Sequence, residues 1–303
     1  MRFFTENTSL IIPTKDRSYQ VIDLLKYLKF NKIKFFEILV IDSSNKKNCK
    51  ILKSQSKKLN FKYFYTYPST SYQRNLGLNK KNSSTRFVMF LDDDVIFFKN
   101  TFNEMNKTIK KYLLSEQIGG FGFNQVQKEV KINFFERIKN SKLIDFLGFY
   151  SIKPGKVLKS GWHTKILNVK KNVNVDWLYS TACIYKSNAI CNFKFNENFG
   201  QYSYLEDLDF SLNLKKINKR IIISYLAKFQ HPVNIDRSSF SFGIQEVINR
   251  FQIVKKYNFD IYFFFLLVFL RFLISFSGIF KLRLNSFLRS VGNIYGIILC
   301  IKN

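Results

Sequence analysis

The sequence of 303 residues has few of the residues that build several common kinds of site. It contains two histidines, two tryptophans, four prolines and four cysteines. No C-x-x-C spacing and no nearby histidine accompanies the cysteines, which are Cys49, Cys183, Cys191 and Cys300. This pattern excludes a zinc finger and a dense disulfide scaffold, and it indicates free thiols in a reducing compartment.

Acidic residues are also few. The chain has 21 Asp and Glu against 49 Lys and Arg, which gives a net charge of +28. The basic residues are scattered, and no arginine-rich arm or RNP-like aromatic motif accompanies them, so we expect no nucleic-acid partner. Attraction to anionic lipid stays open. A hydrophobic content of 46% and an aromatic content of 17% exclude a disordered chain.

The stretch RFVMFLDDDV, residues 86–95, joins a short apolar run to three aspartates. Residues 87–91 are apolar throughout, which is typical of a strand buried on both faces. Three adjacent carboxylates repel one another and are costly to desolvate, so they require a cation, hydrogen-bond donors or open water. Taken alone, Asp92, Asp93 and Asp94 are compatible with a solvated turn and with a ligand site.

Strand and helix patterns alternate over the first hundred residues. We predict strands at residues 9–13, 35–41, 61–67 and 87–91, and helices at residues 16–30, 49–59 and 71–79. Such alternation favours an α/β domain with a mostly parallel sheet. Right-handed crossovers place the carboxyl ends of these strands at one edge, where ligands bind.

Three polar clusters follow predicted strands, at residues 14–17, 42–44 and 92–94, and Arg74 can reach the same edge. This convergence makes the solvated turn the weaker interpretation of the aspartates. A second acidic cluster, Glu206, Asp207 and Asp209, precedes a helical apolar pattern. Alone, it is explained by the preference of helix N-termini for acidic residues.

Four stretches, in order, resemble a family-two glycosyltransferase of the GT-A fold. They are SLIIPTKDR, EILVIDSSN, SYQRNLGL with FVMFLDDDV, and VDWLYSTACIYKS with FNENFGQYSYLEDLDFSLNLKK. The resemblance covers roughly residues 8–235 and implies a Rossmann-like nucleotide-binding half, an acceptor-binding half and a mostly parallel sheet flanked by helices. It also implies transfer of a sugar from a nucleotide-diphosphate donor, with inversion at the anomeric carbon.

The resemblance assigns roles to individual residues. Those expected to bind the nucleotide sugar are Pro13, Thr14, Arg17, Asp42, Arg74, Asp92 and Asp93. Asp94, with Asp92 and His231, is expected to hold a divalent metal, Mn²⁺ or Mg²⁺, and carboxylates suit either ion. Asp207 is expected to be the general base and Glu206 is the alternative. His231 is equally compatible with a structural role.

Two positions depart from the family pattern. Ser43 stands where a second aspartate usually ends the second strand, and Leu205 stands where glycine often precedes the acidic pair. Ser43 changes the contacts expected with the nucleotide, and Leu205 changes the expected shape of the acceptor pocket. For two further residues a structural role is the preferred interpretation. His163 is expected in a surface loop, and Trp177 is expected in the core.

The C-terminal part has a different composition. Residues 261–280 are almost wholly apolar apart from Arg271, and residues 285–298 show an amphipathic pattern with a G-x-x-x-G at Gly292 and Gly296. Arg271 at the centre argues for an interfacial position rather than a full span. We expect residues 1–240 to form the transferase domain, with halves at 1–100 and 101–240. Residues 241–303 are expected to form a hydrophobic helical extension associated with a membrane, either lying on its surface or serving as a hydrophobic anchor. A soluble helical hairpin that caps the domain is the alternative.

The N-terminus MRFFTENTSL lacks the apolar core of a signal peptide, so we expect the cytoplasmic side of the membrane. The expected partners are a UDP-sugar and a saccharide or lipid-linked saccharide acceptor, as in synthesis of cell-surface polysaccharide or lipid-linked glycan. Two alternatives remain: a sugar nucleotidyltransferase, and a non-catalytic basic protein attached to the membrane. The first would require a glycine-rich phosphate loop, which IIPTKDR does not provide.

Overall fold

The structure, a computed structural model, describes residues 4–127, 141–232, 239–276 and 284–302. The chain separates into two compact units. The first comprises residues 1–128 and 166–232, and the second comprises residues 129–165 and 233–303. The predicted functional division at residues 100 and 240 stays a prediction.

The first unit is built on one sheet. Its strands are β1 (Thr8–Thr14), β2 (Glu37–Asp42), β3 (Lys62–Tyr65), β4 (Phe87–Leu91), β5 (Ile96–Phe97), β6 (Ile118–Gln125), β7 (Val173–Val175), β8 (Ala182–Lys186) and β9 (Arg220–Gln230). They are ordered β3-β2-β1-β4-β8-β6-β9-β5, and β7 pairs with β9. The strands β1 to β4 are mutually parallel, whereas β8 runs antiparallel between β4 and β6. The predicted α/β class is confirmed.

The helices of the first unit follow the predicted alternation. They are α1 (Ser18–Phe30), α2 (Lys46–Leu59), α3 (Thr70–Lys80), α4 (Thr101–Tyr112) and α6 (Glu206–Lys216). Short 3-10 turns occupy Phe4–Asn7, Ser187–Ala189 and Glu197–Phe199. Every residue of β1 and β4 is buried, as expected for central strands covered on both faces.

Three details differ from what the local sequence suggests. Ser18 is of a residue type typical of an N-cap, but it lies inside α1 and its hydroxyl bonds to Asn48. Residues 173–185 have the pattern of one strand but are divided into β7 and β8. Three glycines in residues 116–131 suggest an interruption, but they lie inside strand β6, where Gly120 and Gly122 make room for neighbouring side chains such as Tyr185. Residues 128–131 lie outside the described part.

Helix α3 is fixed closely against the sheet. A Cβ atom at Gly77 would lie 2.5 Å from Cγ2 of Ile11 on β1. The Gln73 amide nitrogen donates 2.8 Å hydrogen bonds to the carbonyls of Thr14 and Ile41. Glycine at position 77 and glutamine at position 73 therefore hold the helix at the carboxyl ends of β1 and β2.

The second unit is helical. It contains α5 (Lys142–Phe146), α7 (Phe240–Lys256), α8 (Ile261–Phe276) and α9 (Leu284–Lys302). Over the ranges that the structure describes, no helix has the length and apolar character needed to cross a membrane. Residues 277–280 of the predicted hydrophobic segment, and residues 134–140 of a predicted amphipathic segment, lie outside the described residues.

Three charged side chains of the C-terminal helices meet inside the second unit. Glu246 on α7 is buried between Arg271 of α8, at 3.3 Å, and Arg289 of α9, at 2.6 Å. Burial would raise the pKa of Glu246, but Arg271, Arg289 and Arg250 outweigh it and hold that pKa below its ordinary value. Arg271, the one charge in the apolar run, is therefore accommodated by a buried carboxylate.

Close backbone contact joins α7 and α9. A Cβ at Gly292 would overlap the carbonyl oxygen of Phe240, and one at Gly296 would lie 2.8 Å from Cβ of Val247. Asn293, between these glycines, is 1% exposed. The G-x-x-x-G pattern thus packs two helices of this unit together, and the polar face of α9 is the buried face.

Apolar side chains occupy the outer faces of α8 and α9. On α8 they recur at helical spacing and are 39–89% exposed: Tyr262, Leu266, Phe269, Leu273 and Phe276. On α9 the corresponding set is Leu288, Val291, Tyr295, Ile298 and Ile301, at 38–71% exposure. Both helices are thus apolar on their outer faces as well as toward the interior, where Phe264 and Val268 of α8 and Cys300 of α9 join an apolar cluster. A helix of a water-soluble bundle is typically polar on its outer face.

The contact at Gly77 yields a stability prediction. Gly77→Ala forces a methyl group against Ile11 in the core, and we expect a loss of about 1–3 kcal/mol in the free energy of unfolding, measured by urea denaturation. Asn79→Ala, on the exposed last turn of the same helix, is the control and is expected to change stability by less than about 0.5 kcal/mol. Equal effects of the two substitutions would contradict the packing argument.

Candidate functional site

The carboxyl ends of β1, β2 and β4 meet at one edge of the sheet, as predicted. Pro13 and Thr14 end β1, and Thr14 lies opposite Asp42, the last residue of β2. The Thr14 hydroxyl donates a 2.6 Å hydrogen bond to Asp93, immediately beyond β4. The three polar clusters recognised in the sequence are therefore joined around these strand ends.

Asp93 and Asp94 share one cation. The Arg17 guanidinium lies 3.2 Å from Oδ1 of Asp93 and 2.9 Å from Oδ2 of Asp94. Nε2 of His231 lies 2.9 Å from the other oxygen of Asp94. Arg17 and His231 thus pair with Asp93 and Asp94, and the remaining aspartate, Asp92, is paired with Arg74.

The two aspartates differ in pKa. Burial raises the pKa of Asp93 to about 6, with Asp92 and Asp94 adding to the rise while Thr14 and Arg17 oppose it. Burial would also raise the pKa of Asp94, but His231 and Arg17 outweigh it and hold that pKa below its ordinary value. Asp94 is therefore the better anionic ligand of the two.

Asp42 is fully buried. Its carboxylate accepts hydrogen bonds from the backbone N–H and the hydroxyl of Ser44, and a 2.7 Å bond from the Tyr63 hydroxyl. Burial and the neighbours Cys49 and Asp42 raise the pKa of Tyr63, which keeps its donor proton in place. Asp42 thus shapes the loop after β2, and its predicted contact with a nucleotide base stays a prediction.

Arg74 joins the two acidic clusters. Its guanidinium, 3% exposed, lies 3.0 Å from Asp92 Oδ1 and 2.5 Å from Glu206 Oε1. Asp92 directly follows β4, whereas Glu206 is the first residue of α6, more than a hundred residues later in the chain. The predicted contact of Arg74 with a nucleotide base stays a prediction, because the structure gives this side chain two carboxylate partners inside the site.

The second acidic cluster begins α6. Leu205, before the helix, has φ +77°, in the left-handed region that favours glycine. The glycine common at this position in the resembled family therefore has a conformational reason, and here buried leucine adopts the same conformation. Glu206 is buried, Asp207 is half-buried, and Asp209 is fully buried.

Burial raises the pKa of Glu206 to about 8; Asp207 adds to this rise and Arg74 opposes it. Asp207 is less enclosed, and its Oδ1 accepts a 2.8 Å bond from the Leu208 backbone N–H. Of the two candidate bases, Glu206 is buried and paired with Arg74, whereas the Asp207 side chain is only half-buried. This difference favours Asp207 as a proton acceptor.

Several residues that position this site did not stand out in the sequence. The Asn75 side chain bonds to the backbone of Phe195, to both its N–H and its C=O, and to the carboxylate of Glu197. The Ser71 backbone N–H donates to the hydroxyl of Ser203. These bonds tie α3 to the segment before α6. In the sequence, the unusually polar run SYQRN within a short helix was the one sign that this helix makes buried polar contacts.

The predicted metal ligands come together in part. Asp94 and His231 are in contact, whereas Asp92 is engaged by Arg74. Within residues 4–127, 141–232, 239–276 and 284–302, no group of three or more His, Cys, Asp or Glu side chains is arranged to hold a metal ion. Trp177 is a core residue, as predicted, and His163 lies in the second unit beside Arg250.

No protein-family model and no curated protein matches the sequence. Solved structures match the fold. The mannosyltransferase PcManGT from Pyrobaculum calidifontis, in complex with GDP-Man and Mn²⁺, aligns with a TM-score of 0.52 and 13% identity, over 82% of this chain and 64% of that chain. GalNAc-T7 with UDP, GalNAc and Mn²⁺ aligns with a TM-score of 0.57 and 12% identity, over 82% and 47%.

This chain spans less than two thirds of the length of each of these glycosyltransferases. At such identities the likeness concerns the fold, and it confirms the expected GT-A architecture: a mixed sheet with a parallel first half, flanked by helices.

The bridge formed by Arg74 can be tested by a mutant cycle. Arg74→Gln leaves Asp92 and Glu206 without their cation, so we expect a loss of about 3–5 kcal/mol in the free energy of unfolding in urea, measured above the pKa of Glu206, which is about 8. Adding Glu206→Gln should recover part of this loss, because one unpaired carboxylate is removed. Lys80→Gln, on the exposed end of the same helix, is the control. Strict additivity of the two substitutions would argue against the bridge.

Proposed function

We propose that this chain is a metal-dependent, inverting glycosyltransferase that moves a sugar from a nucleotide-diphosphate donor to a hydroxyl acceptor. The observation that carries the proposal is the Arg74 bridge, which holds two acidic clusters together at the carboxyl edge of a GT-A sheet. One cluster suits a metal and diphosphate, and the other suits a base. A UDP-sugar is the donor we expect.

The donor would lie over the ends of β1, β2 and β4. Thr14 and Asp93 form a hydrogen-bonded pair there, and Arg17, 47% exposed in its side chain, is the accessible cation next to them. Pro13, Asp42 and Arg74 would act from the same edge, the last two as buried supports of the loop and of Asp92. Arg17 could reach a phosphate, because it carries donors beyond those used by the aspartates.

The donor set at Asp94 and His231 fits Mn²⁺ or Mg²⁺. Carboxylate and imidazole are suitable ligands, and protein sites for these ions often use one or two carboxylates plus substrate phosphates. Asp94, with His231 and with Asp92 freed from Arg74, would hold the ion. When bound, a divalent ion would neutralise the charge of the departing diphosphate.

Asp207 would take the proton of the acceptor. In a single displacement, the acceptor oxygen bonds to the anomeric carbon while the bond from that carbon to the diphosphate oxygen breaks. The hydroxyl proton passes to the Asp207 carboxylate, and the configuration inverts. Glu206 is less suited, because its carboxylate is held by the Arg74 guanidinium at 2.5 Å.

We also propose attachment to the cytoplasmic face of a membrane, where a lipid-linked saccharide or a cell-surface polysaccharide precursor would serve as acceptor. The support is the outer face of α8 and α9, which exposes apolar side chains, while Arg271 and Arg289 are paired with the buried Glu246. Such helices suit a position in the plane of the interface. The surplus of basic residues suits anionic lipid.

The alternatives receive less support. A sugar nucleotidyltransferase would require a glycine-rich phosphate loop after β1, and that loop reads Thr14 to Arg17 without glycine. A non-catalytic binding protein has no need for carboxylates held between two elements by a buried arginine. Measured turnover of a donor separates these possibilities.

Activity is tested by a screen of nucleotide sugars, with hydrolysis of the donor as the readout, in Mn²⁺ and in EDTA. We expect one donor to be hydrolysed only with metal. Asp207→Asn should lower kcat about 10²–10⁴-fold with donor binding retained, and Asp94→Asn should abolish the metal dependence of donor binding. Asp23→Asn, exposed on α1, is the control. Normal turnover in Asp207→Asn would refute its role, and absence of any donor turnover would refute the function.

Membrane attachment is tested by flotation with vesicles of phosphatidylethanolamine and phosphatidylglycerol. The wild-type chain should float, and a triple variant, Tyr262→Ser, Phe269→Ser and Leu273→Ser, should lose binding, since each apolar side chain contributes about 1.5–3 kcal/mol when buried. The matched control replaces Phe30, Leu114 and Ile217, exposed in the first unit, with serine. Equal loss in both variants, or no flotation of the wild type, would exclude this attachment.

A further inference from the structure

A second cleft opens in the first unit, away from the carboxylate cluster. Its volume is about 820 Å³. Phe87 and Ile118, the first residues of β4 and β6, line it together with Lys186, the last residue of the antiparallel strand β8. The aspartates follow the opposite end of β4, so the five residues of that strand separate cleft and carboxylates by roughly 16 Å.

The lining of this cleft is strongly basic. It includes Lys81, Arg86, Lys186 and Lys219, and its single acidic residue is Glu116. Among the ion pairs of the described residues, none involves these four cations. Four positive charges therefore face one concave space with a single carboxylate.

Two of the cations are fixed by the backbone rather than by counter-charges. The Lys186 ammonium donates to the carbonyls of Leu113, at 3.0 Å, and Ser115, at 2.8 Å. Lys219 donates to the carbonyl of Glu116 at 2.7 Å. Burial, together with Lys219 and Arg86, lowers the pKa of Lys186. The cations repel one another, and an anion in the cleft would relieve this repulsion.

A chain of net charge +28 is expected to carry basic patches by chance. This cleft differs from a flat basic patch because it is concave and because two of its ammonium groups are held in place by backbone carbonyls.

We propose that this cleft binds a multiply charged oxyanion ligand, with phosphate or carboxylate groups on a body the size of a short oligosaccharide. The size follows from the volume, because pockets for organic ligands of several rings measure about 300–1,000 Å³. A lone inorganic ion would leave most of the cleft empty. The site is separate from the carboxylate edge of the sheet, and the proposal does not depend on glycosyl transfer.

The test is calorimetric titration of the full-length chain in EDTA with two probes, tripolyphosphate and tetragalacturonate, and with neutral maltotetraose as the uncharged reference. The cleft variant combines Lys81→Gln with Arg86→Gln, two side chains without a hydrogen bond or ion pair among the described residues. The control variant combines Lys57→Gln with Lys58→Gln, exposed on α2, which makes the same change in net charge. Thermal unfolding verifies that both variants are folded, and Lys219→Gln replaces the cleft variant if it is not.

We expect one of the charged probes to bind the wild type and maltotetraose not to bind. The cleft variant should weaken that binding at least about tenfold, which corresponds to about 1.4 kcal/mol, because it removes charge-assisted hydrogen bonds to the ligand. The control variant should change it less than about twofold. The preferred probe identifies phosphate or carboxylate as the group recognised. Absence of binding by both probes at millimolar concentration, or equal weakening in both variants, would overturn the proposal.

Discussion

The organisation of the candidate site depends on the buried guanidinium of Arg74. Asp92 follows a central strand and Glu206 begins a helix more than a hundred residues later, and both would repel each other without a cation between them. Buried carboxylates are tolerated when they are paired and hydrogen-bonded. Since Gln73 anchors the same helix to β1 and β2, the guanidinium is delivered to a fixed place. One short helix therefore sets the geometry of both acidic clusters.

Much of the first unit could be predicted from the sequence. Continuous apolar runs ending in polar residues marked β1, β2 and β4, and the resemblance to GT-A glycosyltransferases extended this to the whole architecture. The site residues that lie directly at strand ends, such as Thr14 and Asp93, were accessible in the same way. Their local sequence context determines both their secondary structure and the edge to which they belong.

The partners of these residues could not be predicted. Pairing of Arg74 with Glu206 joins segments far apart in sequence, and composition carries no information on which cation meets which carboxylate. Asp94 and His231 were expected near one another only because the family resemblance placed both at a metal site. Leu205 shows another limit: its positive φ is dictated by the chain around it, against the preference of leucine itself. The inward-facing charges of α8 and α9 were likewise hidden, because periodicity identifies a polar face without saying what covers it.

The two ends of strand β4 are surrounded by residues of opposite charge. Aspartates follow its carboxyl end, while lysines and arginines surround its amino end in the basic cleft. Arg17, Arg74 and His231 pair with the aspartates, whereas no ion pair of the described residues involves the four cations of the cleft. A negatively charged surface would therefore attract the amino end of β4 and not its carboxyl end. Orientation, and not only affinity, is encoded in these five residues and their neighbours.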